Sequence, residues 1–114
     1  MLTEKDYCDY ETCVALEELG YPQYSYDNGG ELDKILRMVT LYNAQKWLRE
    51  EKNIDVLIQL GTKDIHLSSK YYSIYISYMS RFRREFSYIS KNFDLYEEAL
   101  SEGIKEAVKI LKEE

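Results

Sequence analysis

His66 is the only histidine in the chain, with Ser68 and Ser69 just beyond it. A hydroxyl near an imidazole is the minimum for nucleophilic catalysis, because the imidazole takes the proton as the oxygen attacks. These residues fall in a polar stretch between two apolar runs, which reads as a solvated loop. Positioned acid-base chemistry needs a rigid, often buried group with a shifted pKa, and such a loop supplies neither. The sequence therefore predicts an exposed loop histidine and no catalytic residue.

Cys8 and Cys13 are the only cysteines. Together with His66 they form neither a paired-cysteine knuckle nor a two-histidine helix face, so no metal is expected. They sit at the start of a predicted helix, five positions apart, where they should lie on different faces and pack, unbridged, as small apolar groups. Gly29-Gly30 is the one glycine pair and lacks the strand-loop-helix pattern that cradles phosphate; it reads as a turn, and no cofactor is expected. Glu50-Glu51 and Glu97-Glu98 are paired acids, but neighbours on a helix point about 100 degrees apart and do not share a proton easily. Solvation and the helix dipole explain both pairs.

Tyrosine is the anomaly, with 12 copies against three Phe and one Trp. It buries a large ring while keeping a hydroxyl for the edge of a core, which suits a thin domain with few fully dry positions. Tyr71 and Tyr75, followed by Arg81, Arg83 and Arg84, form a candidate interaction surface on the outer face of a predicted strand. Stacked rings beside guanidinium groups could hold single-stranded nucleic acid. The same residue types concentrate energy at protein interfaces. The net charge of -6 opposes attraction to polyanions, so a protein partner, a homodimer included, ranks above nucleic acid.

That charge is uneven. Residues 1–33 carry nine acids and one base, residues 34–93 eleven bases and five acids, and residues 94–114 seven acids and three bases. Acidic ends can satisfy a basic middle within one fold, and this explains the pattern without a polyanionic partner.

The elements that must position these groups follow from periodicity. Asp9 caps a helix through Leu19, stopped by Gly20, with Thr12, Ala15, Leu16 and Leu19 on one face. Pro22 blocks re-entry, Tyr24 and Tyr26 alternate with polar residues, and a turn over residues 27–30 precedes a weaker helical pattern from Glu31 to Val39. Thr40 caps a firmer helix, Leu41 to Lys52, with Leu41, Ala44 and Leu48 inward. Trp47, bordering that stripe, should be buried between this helix and the sheet.

Residues 54–60 and 71–79 alternate with period two and are joined too closely for a helical crossover, so they should pair as an antiparallel hairpin. Tyr72, Ile74, Ile76 and Tyr78 form one face of the second strand, and Tyr71, Ser73, Tyr75 and Ser77 the other. Residues 80–92 read as a polar, basic excursion. The last helix is capped by Asp94 with Glu97 in a capping box, and carries a stripe of Tyr96, Leu100, Ile104, Ala107 and Leu111.

Length and composition bound the rest. With 114 residues, 45% hydrophobic and 32% charged, the chain reads as one folded domain over residues 1–114. No apolar run approaches the roughly 20 residues of a membrane helix, and the acidic first nine residues lack the basic and apolar pattern of a secretory signal. A cytoplasmic protein with no membrane contact is expected.

Three patterns taken together resemble a group of short uncharacterised proteins of gut anaerobic bacteria, their prophages and mobile elements. They are Asp9-Tyr10-Glu11-Thr12-Cys13 running to Leu19-Gly20-Tyr21, then Ala44-Gln45-Lys46-Trp47-Leu48-Arg49-Glu50, and finally Phe93-Asp94-Leu95-Tyr96-Glu97-Glu98-Ala99-Leu100 with Gly103-Ile104-Lys105-Glu106-Ala107. The resemblance implies a phage-related origin and supports the fold; it brings no activity. The sequence thus predicts an α+β fold, a single two-layer domain of about three helices on a small, mainly antiparallel sheet containing the 54–60/71–79 hairpin. It predicts a non-enzymatic accessory protein acting through protein contacts.

Overall fold

A computed structural model describes residues 4–22, 39–62, 70–81 and 83–113. Asp9 accepts a hydrogen bond from the Thr12 amide at 2.8 Å and so opens α1, Tyr10–Glu18. Leu19 and Gly20 close it, with Gly20 at φ 105, a left-handed conformation that glycine adopts without strain. Ahead of α1 lies a short 3-10 turn, Glu4–Asp6, and Tyr7 then bridges to Thr40. Thr40 caps α2, Leu41–Lys52, by accepting from the Asn43 amide at 3.1 Å. Asn53, at φ 54, turns the chain directly into the sheet.

Three antiparallel strands follow in spatial order: β1 Ile54–Thr62, β2 Lys70–Ser80 and β3 Arg83–Phe93. Val56 lies opposite Ile76 and Leu57 opposite Tyr75, so the expected hairpin forms in an alternating register. The chain ends in α3, Tyr96–Glu113, which packs on β1 and β2 and against α1 and α2. Among the described residues this is a two-layer α+β fold with three α-helices on one face of the sheet.

The core lies between those layers. Ile54 and Val56 of β1 and Ile74 and Ile76 of β2 are buried against Leu100, Ile104 and Ala107 of α3, with Leu48 of α2 and Leu16 of α1 completing it. Gly103 lets α3 come close, because a Cβ there would collide with Val56 Cγ1 and stand 3.1 Å from Ile74 Cγ2. Lys105 pairs with Asp9 at 3.0 Å and Lys112 with Glu18 at 2.7 Å, tying α3 to α1 across their exposed sides.

Three expectations are corrected. Residues 80–92 are not an excursion: Arg83–Phe93 is a full strand, because an edge strand exposes alternate residues to water and tolerates charge there. The last helix begins at Tyr96, so Leu95 and not Asp94 stands at the cap position, and the Leu95 carbonyl accepts from the Ala99 amide at 3.2 Å. Trp47 is partly buried and packs against the core, as expected, but its ring meets Tyr21, just beyond α1, edge-on at 5.3 Å, a contact the sequence did not indicate. Cys8 and Cys13 come together instead of lying on different faces, as described below. Tyr24, Tyr26, the turn containing Gly29-Gly30, the helical pattern before Val39, and the loop with His66, Ser68 and Ser69 lie outside the described residues.

Candidate interaction face

The face of the sheet turned away from the helices is covered by no described element and carries large apolar side chains. Across it Leu57, Tyr75 and Tyr88 stand in one row, with Tyr75 opposite both of the others in the strand register. The Tyr75 and Tyr88 rings are 4.7 Å apart and tilted by 38°. In the next row Phe86 lies opposite Ser77, and Met79 stands beyond it opposite Arg84. Phe86 is 72% exposed, Tyr88 52% and Leu57 49%, whereas Ser73 and Ser77 between these large neighbours are buried. The large side chains cover the small ones between them, and a contiguous apolar patch of this kind marks an interaction site more often than a bare solvated surface.

The residues expected from sequence to form a surface are only partly brought together. Tyr71, Tyr75 and Arg84 share the outer face. Tyr71 lies over Gly61, where an added Cβ would come 2.5 Å from Tyr71 Cζ, so the ring shields bare backbone and is itself half-buried. Arg84 reaches across from β3 and donates from Nη1 to Ser77 Oγ at 2.7 Å, which lays its guanidinium along the face. Arg83 is separated from this group. Its register places it with Glu85 on the helix side of the strand, and the two form an ion pair of 2.9 Å. Arg81 sits in the connection between β2 and β3, exposed, at φ 55.

Leu57, Met79, Phe86 and Tyr88 belong to this face and were not singled out from sequence. Alternation of Arg84, Phe86 and Tyr88 with Glu85, Ser87 and Ile89 was the available signal, masked by three arginines in four residues.

A second constellation lies at the N-terminus of α1. Cys8 and Cys13 are free thiols, both buried. The Cys13 thiol donates toward the Cys8 carbonyl at 3.7 Å, and the Val39 amide donates to the Cys13 sulfur at 3.5 Å. The Cys8 thiol also bonds the Cys13 sulfur, which with the Val39 amide holds Cys13 below the ordinary thiol range, at about 7. That same bond and burial push Cys8 up. Cys8 is the member that lines a groove of about 460 Å³ beside Asp9 and Ser101, and because its thiol is the one pushed up, a thiolate facing the groove is disfavoured.

Among the described residues no group of three or more His, Cys, Asp or Glu side chains is placed to hold a metal ion. Comparison with protein-family models, curated proteins and solved structures finds no match to this chain. Among the described residues, no helix is long and apolar enough to cross a membrane.

Proposed function

We propose that this chain is a non-enzymatic accessory protein that works by protein contact, using the outer face of its sheet as the docking surface. The single observation that carries this reading is the contiguous row of Leu57, Tyr75 and Tyr88, with Phe86 and Met79 beside it, left uncovered on a sheet whose other face packs its centre, Ile54, Val56, Ile74 and Ile76, against the helices. Aromatic and Met side chains around an Arg are the composition enriched in interface cores. The free state of Cys8 and Cys13 favours a reducing, cytoplasmic setting. The origin in a phage or mobile element rests on the resemblance of the three sequence patterns.

The reading is tested by capturing the tagged chain from its host and scoring proteins and nucleic acid separately. A protein retained by wild type and lost from Leu57→Lys and Tyr88→Lys, while Lys109→Glu on the exposed side of α3 keeps it, supports the outer face. Retention unchanged in both face variants, or capture of nucleic acid alone, refutes it.

A further inference from the structure

We infer that a second copy of this chain pairs with the free edge of β3, antiparallel and in a register centred on Phe86, so that two three-stranded sheets become one of six strands. This inference deepens the protein-contact reading and rests on it.

The direction of the backbone groups follows from one contact in the helix layer. Gln45 of α2 donates from Nε2 to the Val56 carbonyl at 2.7 Å, so Val56 turns its backbone polar groups away from β2, to the outer edge of β1. In an antiparallel ladder each residue turns both groups to one side, and opposite residues alternate between facing and averted pairs. Ile76, opposite Val56, must then face β3, where it meets Ser87. Glu85 and Ser87 spend their groups on β2, while Arg84, Phe86 and Tyr88 turn theirs to the free edge. The two-residue separation of β2 from β3 gives the same phase, since its flanking pair, Ser80 and Arg83, is a facing pair in short hairpins.

The two edges of the sheet are unequal. Gln45 guards β1, whereas among the described residues none pairs with the outer edge of β3. Natural edges are blunted by charge, proline or bulges; β3 carries its charges at Arg83, Arg84 and Glu85 and its irregular stretch beyond Ile89, and between them it presents Phe86, its most exposed large apolar side chain.

The usable length selects the register. Pairing of β3 with β2 is regular from Arg83 to Ile89; beyond that, two steps of β2 from Ile74 to Tyr72 span four of β3, from Ile89 to Phe93. An irregular stretch offers no even ladder. The midpoint of residues 83–89 is Phe86, and a two-fold axis sets the midpoint of a self-paired strand against itself. Phe86 then meets Phe86 of the second copy. Arg84 faces Tyr88 of the second copy on the outer face, twice by symmetry, an arrangement in which a guanidinium can lie over a ring. Glu85 meets Ser87, Arg83 meets Ile89, and within residues 83–89 no like charges oppose. Centring on Arg84 would set that arginine against its own copy, and centring on Tyr88 would draw the irregular stretch after Ile89 into the ladder.

Sedimentation equilibrium of the purified chain tests this. Wild type should follow a monomer–dimer equilibrium, Phe86→Lys should weaken dimerisation by at least about tenfold while melting like wild type at dilutions where both are monomeric, and Leu57→Lys should leave it within about twofold. In the averted pair of Glu85 with Ser87 of the second copy the Cα atoms stand about 4.5 Å apart with the side chains at their closest, within the span of a disulfide, so the oxidised double variant Glu85→Cys with Ser87→Cys should give a covalent dimer whereas Leu57→Cys does not. A monomeric wild type over the whole micromolar range overturns the inference, and so does a dimer sensitive to Leu57→Lys but not to Phe86→Lys. Either result leaves the protein-contact reading to be decided by host capture.

Discussion

Cys13 stands at the fourth residue of α1 with its sulfur 3.7 Å from the carbonyl oxygen of Cys8, the residue just before the Asp9 cap. The residue before a helix cap and the fourth residue inside commonly pack together and fix the angle at which the chain enters the helix. Here two thiols make that contact. Their neighbour Val39 joins both, giving its amide to the Cys13 sulfur and taking the Cys8 amide on its carbonyl at 2.8 Å.

The two cysteines are therefore unequal. Cys13→Ala removes the acceptor of a buried amide and should cost about 1 to 3 kcal/mol, whereas Cys8→Ala leaves the Cys8 backbone bond in place and should cost less. Urea denaturation of the two variants checks the order. An equal loss, or a larger one at Cys8, would mean that the sulfur is not the partner Val39 depends on.

Close approach of α3 to the sheet gives a sharper test. Gly103→Ala adds one methyl group where Val56 Cγ1 already stands, so the gain of about 1 kcal/mol in helix propensity should be outweighed by about 1 to 3 kcal/mol of overpacking. Trimming the opposing side chain should release that strain. The double variant Gly103→Ala with Val56→Ala should be more stable than the sum of the single losses predicts, measured in a double-mutant cycle. Strict additivity would show that α3 shifts to make room at no cost.

Much of this fold was legible because it rests on local rules. Asp9 and Thr40 act as caps, and the Ala44 and Leu48 stripe is buried. The alternation of Tyr72, Ile74, Ile76 and Tyr78 against Tyr71, Ser73, Tyr75 and Ser77 sorts two faces as period two requires. What failed needed long-range information. Strand β3 was hidden because its charged residues are satisfied by being at an edge, a position that only the sheet order reveals. The outer face was half legible: Tyr75 and Arg84 belong to it, but Arg83 was grouped with them by sequence proximity although one residue's step along a strand reverses the face.

Acid and base should both weaken the α1–α3 contact, each through a different partner of one ion pair. Burial pushes the Asp9 carboxyl up, but the Thr12 hydroxyl and amide and the Lys105 ammonium more than reverse this and hold it below its ordinary value. A carboxyl lowered in the fold stabilises it above the unfolded value of about 3.9, and that contribution is lost as the pH falls through the lower folded value. Lys105 is held up, first by its bond to Asp9, so its share is present below the unfolded value of about 10.4 and is lost as the pH rises through the raised one. Both groups are nearly half exposed, so solvent screening should keep the effect below about 1 kcal/mol. Asp9→Asn retains a capping oxygen but not the charge. Its deficit against wild type should shrink as the pH falls below the unfolded value of about 3.9 in urea melts, and a constant deficit would show that Asp9 contributes through its cap alone.

Single-stranded nucleic acid is the alternative occupant of the outer face, and the geometry bears on it directly. Stacking is worth roughly 1 to 3 kcal/mol per base, so Tyr75 and Tyr88 could contribute if phosphates were held alongside. The cations needed for that are dispersed or engaged: Arg83 is paired with Glu85 on the helix side, Arg84 is bonded to Ser77, and Arg81 stands in the connection between the strands. The net charge of -6 adds repulsion. At about 0.15 M salt, screening confines each charge to about 8 Å, and a dispersed set of arginines then has little reach. No binding of single-stranded DNA or RNA should be detected by fluorescence anisotropy under these conditions. Salt-dependent micromolar binding that disappears in the variant with Arg81, Arg83 and Arg84 all replaced by Ala would make nucleic acid the ligand of this face, and would replace the protein-contact reading.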